Sequence, residues 1–147
     1  MKKLFEFNHQ LNEDVCNHLV SNKVYDGKFR RLLSHIINAQ DIWLSRIQNT
    51  SSEFEIWQEH DPEDLKKHND QHLKSFLDLI QNQDLNKVLS YNSLAGKGYT
   101  TAIEDILMHI VNHGTHHRAQ ISQLLSQNNI NPIPTDYIYY IRKAKSK

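Results

Sequence analysis

The chain has 147 residues, the size of one domain, and 38% of them are hydrophobic, which is lean but enough for a single core over residues 1–147. Its 17 basic residues balance its 17 acidic ones, so it lacks the positive field that a sequence-independent grip on nucleic acid needs, and no window approaches a membrane span. Glu6, Asn8 and His9 interrupt any leader-like run after the basic start, which points to a cytoplasmic protein, and the single cysteine, Cys16, excludes a disulfide framework or a cysteine-rich zinc site.

Leu4, Phe7, Leu11, Val15 and Leu19 recur at spacings of three and four and predict an amphipathic helix from Lys3 to about Ser21. After Asp26-Gly27, the run Phe29, Leu32, Leu33, Ile36, Ile37, Trp43, Leu44 and Ile47 predicts a second helix to about Gln48. Asn49-Thr50-Ser51-Ser52 ends it. A third helix starts at Asp61-Pro62-Glu63-Asp64, with an N-cap aspartate, proline at the first helical position and acids in the positive first turn. Leu65, Phe76, Leu77 and Ile80 form its stripe. From Asp84 to Tyr99, Val88, Leu89 and Tyr91 followed by Gly96-Lys97-Gly98 suggest an extended piece or a small hairpin. Thr101 to Glu104 reads as a capping box opening the last long helix, which runs to Asn128-Asn129. A turn over 131–136 leads to a short C-terminal helix from Tyr137 to Arg142, expected to lie across the others. Four one-faced helices bury their stripes most simply against one another, so the predicted fold is an all-α four-helix bundle. The long links between helices two and three and between three and four call for at least one crossover.

Histidine is the unusual component, with 10 residues. Imidazoles four apart on a helix face the same way and can share one cation. His68 and His72 form such a pair, and His109, His113 and His117 form two overlapping ones with His116 beside them. At 100° per residue from Ile103, the core direction holds Leu107, Ile110 and Ile121 within about 40°. His117 lies about 40° from it and His113 about 80°, against about 120° for His109 and 140° for His116. The inner pair is therefore His113 and His117, which either hydrogen-bond in the core or bind something there, with Gly114 leaving room against a neighbouring helix. A third ligand would come from a facing helix. His35 sits at the edge of the second stripe, beside Leu32, Ile36, Ala39 and Ile42, where its ring can reach inward. Three neutral imidazoles with an exchangeable fourth position describe an open site. His68 and His72 stand among Lys66, Lys67, Asp70 and Gln71, as on a solvated surface, and His9, His18 and His60 carry no pattern. Ser34, Thr115 and Ser122 have histidines nearby, but helical position yields no serine-hydrolase arrangement.

Three segments, Leu33 to Leu44, His109 to Ile121 and Pro132 to Tyr137, resemble the DinB family of metal-dependent bundles over nearly the whole chain. The most specific element is Asn112-His113 followed by His117-Arg118 and Gln120, downstream of a helical His35. The resemblance implies a four-helix bundle with long crossover links, often dimeric, that holds a divalent metal through His35, His113 and His117. It departs at Ala119, where the family usually has glycine; the methyl is expected to tighten helix packing without touching the ligands. Some members of the wider superfamily resemble transferases in which the metal presents a low-molecular-weight thiol to an electrophile. A metal-dependent hydrolase and a non-enzymatic, metal-stabilised dimer with a stress or interaction role are the alternatives. Three imidazoles suit zinc and nickel, and also iron and copper. A homodimer is expected further because Phe54, Ile56 and Trp57 place apolar side chains in a linker.

Overall fold

The computed structural model describes residues 1–145, with side chains as far as Arg142. The elements run α1 (Lys2–Ser21), α2 (Gly27–Gln48), α3 (Pro62–Asn82), β1 (Val88–Asn92), β2 (Gly98–Ala102), α4 (Ile103–Gln127) and α5 (Tyr137–Lys145). The four long helices form the expected bundle. In it α2 packs on α4, α4 on α1, α1 on α3 and α3 on α2, so α1 sits diagonally from α2 and α3 from α4.

Two apolar clusters fix the directions of the helices. One joins Phe5 of α1 to Leu44 and Ile47 late in α2, Phe76 and Leu79 late in α3, and Ile103 to Val111 early in α4. The other joins Val15, Cys16 and Leu19 late in α1 to Phe29, Leu33, Ile36 and Ile37 early in α2, Leu65 early in α3, and Ile121 and Leu125 late in α4. Hence α1 and α4 run one way and α2 and α3 the other. Because α2 and α3 run the same way, residues 49–61 must travel back along the bundle. The 22 residues of α2 span about 33 Å at 1.5 Å per residue, and an extended linker of this length reaches about 45 Å. The link is long because it is the crossover.

Local chemistry explains the helix ends. Asp61 is the N-cap of α3 as expected, but its carboxylate takes a hydrogen bond from Arg30 at 3.1 Å and makes none to its own helix. The capping box expected at α4 does not form. Thr101 lies in β2 with its hydroxyl on Tyr91, and the free N–H groups of Ile103 and Glu104 donate instead to the carbonyls of Lys87 and Leu85. The segment after α3 is the hairpin, antiparallel from Val88 opposite Ala102 to Asn92 opposite Gly98, with Gly96 at φ 78° in its turn. Tyr137 and Tyr140 set α5 across α1 by edge contacts with Phe7 at 5.1 and 5.6 Å.

Between the apolar clusters lies a belt of buried polar groups. Arg118 is buried, and its Nη1 donates to the Oδ1 atoms of Asn8 and Asn12 at 2.7 and 2.8 Å. Asn12 donates to Asn69, and Asn69 to the carbonyl of His9, so one chain of hydrogen bonds ties α4 through α1 to α3. Burial pulls the Arg118 guanidinium down to about 9, which leaves it charged at neutral pH. Ala119 is exposed, so its methyl tightens no helix contact.

Gly114 is the close point of the α1–α4 contact, because a Cβ there would fall on the Asn8 side-chain oxygen and the Arg118 guanidinium. An exposed helix glycine changed to alanine gains about 1 kcal/mol. Here Gly114→Ala is expected to lower stability by about 1–3 kcal/mol through overpacking, read as a lower denaturant midpoint.

Candidate metal centre

His113 and His117 stand one turn apart on α4, with Gly114 and Arg118 on its packed side and the two imidazoles beside them facing α2. His35 faces them from α2. The Nε2 of His113 lies 3.1 Å from that of His35 and 3.1 Å from that of His117, and one ligand atom from each ring fits within a 4.8 Å group. All three rings are partly buried. The structure thus brings together the three histidines selected from the sequence.

The donor set fits a cation. His35 Nδ1 donates to the Ile56 carbonyl at 3.0 Å, and because a carbonyl only accepts, the neutral ring has a bare Nε2. His117 Nδ1 donates to Gln120 Oε1 at 2.7 Å, which bares its Nε2 in the same way. Both lone pairs then face His113 Nε2, where a single proton serves only one of them. A cation coordinated by all three resolves this. Tetrahedral ligand nitrogens about 2.05 Å from zinc stand about 3.4 Å apart, close to the spacing seen. Burial first, and then the neighbouring imidazoles, push His113 down to about 3, so it is neutral, as a ligand must be. Burial also lowers His117, against a raising contribution from Gln120.

The crossover positions His35. Antiparallel to α2, the linker is held step by step: Asp41 accepts from Ser52 Oγ at 2.6 Å and Glu53 N at 3.1 Å, Asn38 donates to the Ile56 and Gln58 carbonyls, and Ser34 accepts from His60 N. The Ile56 carbonyl is therefore fixed by Asn38 while it orients His35. Trp57 stacks on the His35 ring at 4.0 Å and 13°. A signal for this was present in the sequence, since Ser34, Asn38 and Asp41 recur at helical spacing as a polar stripe beside the apolar one.

The other histidines take separate roles. His109 is exposed, edges onto Trp43 and His113, and does not join the three. His116 is exposed beside His117. The solvated surface expected for the His68–His72 pair does not hold for His72, which is buried with Nε2 3.4 Å from Asp41 and Nδ1 3.3 Å from Gln40 Oε1. Its stripe on α3 runs Leu65, Asn69, His72, Phe76, Leu79, and the flanking charges hid it. Burial raises Asp41, but hydrogen bonds from His72 and Ser52 outweigh this and leave it below its ordinary value. His60 is also buried, donating from Nε2 to Asn38 Oδ1 at 2.6 Å. His9 pairs with Asp70, and His18 donates to the Asn131 carbonyl.

A family model described as the DinB family matches residues 3–147. The chain is also 26% identical to Protein DinB of Bacillus subtilis (strain 168), in an alignment covering 99% of this chain and 95% of that one. Among the described residues, no helix is long and apolar enough to cross a membrane.

Burial, and then His68, lower His60 below 6.5. Its neutral form is the one that fits between α2 and the linker, so its contribution to stability is complete above about 6.5, the value in the unfolded chain, and is lost as pH falls below that. In the presence of a chelator, His60→Gln, which keeps an N–H for Asn38, is expected to flatten the fall in melting temperature between pH 7 and pH 5.

Proposed function

The chain belongs to the DinB family, and from that premise we propose that it binds a divalent metal through His35, His113 and His117 and transfers a low-molecular-weight thiol to an electrophile. The observation that carries this reading is the convergence of three Nε2 atoms beside a cavity that reaches His35 and His113. When bound there, a divalent metal lowers the pKa of a thiol and keeps it nucleophilic at neutral pH. Zinc and nickel suit the three imidazoles. The protein's share is to orient the rings of His35 and His117, through Ile56 and Gln120, and to keep His113 neutral by burial. In the transfer, a new S–C bond forms, the leaving group departs with its electron pair, and the thiol proton passes to solvent.

A hydrolase would need a general base near these rings. The carboxylate on the cavity wall, Glu55, is exposed, and among the described residues no carboxylate hydrogen-bonds any of the three imidazoles. Chain pairing belongs to the same proposal. Phe54 packs against His60 and His68, whereas Trp57 stacks on His35 and stays 45% exposed, an apolar surface available to a second copy of the chain. Sedimentation at micromolar concentration decides between dimer and monomer.

Alanine at His35, His113 or His117 is expected to lower metal content at least tenfold with helicity retained, and to abolish thiol conjugation. His68→Ala, His109→Ala and His116→Ala should keep metal near the parent level. His72→Ala should also keep metal but melt lower, since it strips Asp41 of a buried partner. Metal analysis, circular dichroism and a thiol–electrophile screen with and without metal check these outcomes. Full metal content in His113→Ala and His117→Ala would remove the assignment.

A further inference from the structure

His35 and His113 line one end of a cavity of about 1080 Å³, slightly larger than most sites for drug-sized ligands. Its walls are aromatic and aliphatic: Trp43 from α2, Phe54 and Trp57 from the crossover, Tyr91, Leu94 and Tyr99 from the hairpin. Beside His109, Ser93 and the exposed Glu55, one wall group is cationic. The Arg46 guanidinium lies 4.6 Å from the Trp43 ring centroid and 5.2 Å from that of Tyr91, and among the described residues it makes no hydrogen bond or ion pair. Stacking satisfies the faces of a guanidinium and leaves its in-plane N–H donors to be met by something else. Arg31, exposed and outside the lining, stacks on Trp57 at the other end, and Glu55 on the wall is also exposed to solvent. Arg46 is therefore the cation of the lining, against one exposed carboxylate. Arg46 and His35 are about 16 Å apart along the helix axis, which gives the cavity a cationic end and an imidazole end with an apolar span between.

Resting on the thiol-transfer reading for the neighbouring imidazoles, we infer that this cavity is the acceptor site, and that it takes an organic anion with a flat apolar body whose carboxylate or sulfonate pairs with Arg46. The apolar walls favour the acceptor over a small polar thiol, although both can carry a carboxylate. Arg46 is thus a specificity determinant, acting on the charged end of the ligand at a distance from the bond that changes.

Two probes of nearly the same body separate charge from shape: 1-anilinonaphthalene-8-sulfonate, which is anionic, and N-phenyl-1-naphthylamine, which is neutral. Both tryptophans of the chain, Trp43 and Trp57, line the cavity, so quenching of their emission reports binding without any reaction. Arg46→Gln is expected to weaken the sulfonate about tenfold, as loss of a charge-assisted hydrogen bond does, and to leave the neutral probe within twofold. Arg46→Lys should recover part of the loss. The dependence should hold with the metal removed, so the cavity stands or falls separately from the centre. Displacement of the sulfonate by 2-naphthoate but not by N-acetylcysteine at equal concentration places the acceptor at Arg46; the reverse gives that position to the thiol and overturns the inference. Equal loss of both probes in Arg46→Gln, with circular dichroism unchanged, or loss of neither, also overturns it, whether or not the protein loads metal.

Discussion

The direction shared by α2 and α3 is the constraint from which the functional end of this bundle follows. A tight turn cannot join two helices that run the same way, so the chain must climb back along α2 before α3 can begin. An extended segment exposes backbone groups at every step, and these need partners. Here α2 supplies them from Asp41, Asn38 and Ser34 in succession. The same linker delivers a carbonyl to His35, a tryptophan over its ring, and Phe54 to the cavity wall. Topology, imidazole orientation and cavity lining have one cause.

The second organising feature is electrostatic. Placing a guanidinium in the waist of a small bundle with amide oxygens as its acceptors is costly unless the geometry is nearly complete. Arg118 reaches Asn8, Asn12 and Thr115, but among the described residues its Nε has no partner. The arrangement sets the register of α1 against α4, because a shift of one turn would strand the charge. It thereby fixes the height of His113 and His117, which share a helix with Arg118, relative to the rest of the bundle.

Much of this was legible from residue spacing. Four stripes gave four helices, and the angular position of His113 and His117 separated them from His109 and His116, because a regular helix turns sequence distance into direction. His35 was legible as an inward edge residue, while its meeting with α4 depends on which helices are neighbours, and periodicity does not carry that. His72 was misread for a related reason: Lys66, Lys67 and Asp70 gave its helix a charged appearance, yet a buried face can continue through Asn69 and His72 when α1 and α2 offer Asn12, Gln40 and Asp41 as partners. The capping box failed because β2 runs directly into α4, and the carbonyls of Leu85 and Lys87 reach the free N–H groups first. Arg46 left no trace in the sequence, since its meaning lies in having no carboxylate partner among the described residues.

Cys16 brings a different consequence. It is the chain's one cysteine, fully buried in the cluster around Leu19 and Leu33, and burial pushes its thiol up to about 11. At neutral pH it is a protonated, inaccessible side chain, inert to alkylating and oxidising agents while the protein stays folded. The native protein therefore behaves as a cysteine-free background. A cysteine introduced on the hairpin turn or along the crossover would be the sole reactive thiol, and spin labels or fluorophores attached there would follow the movement of the cavity walls without any native residue having to be removed.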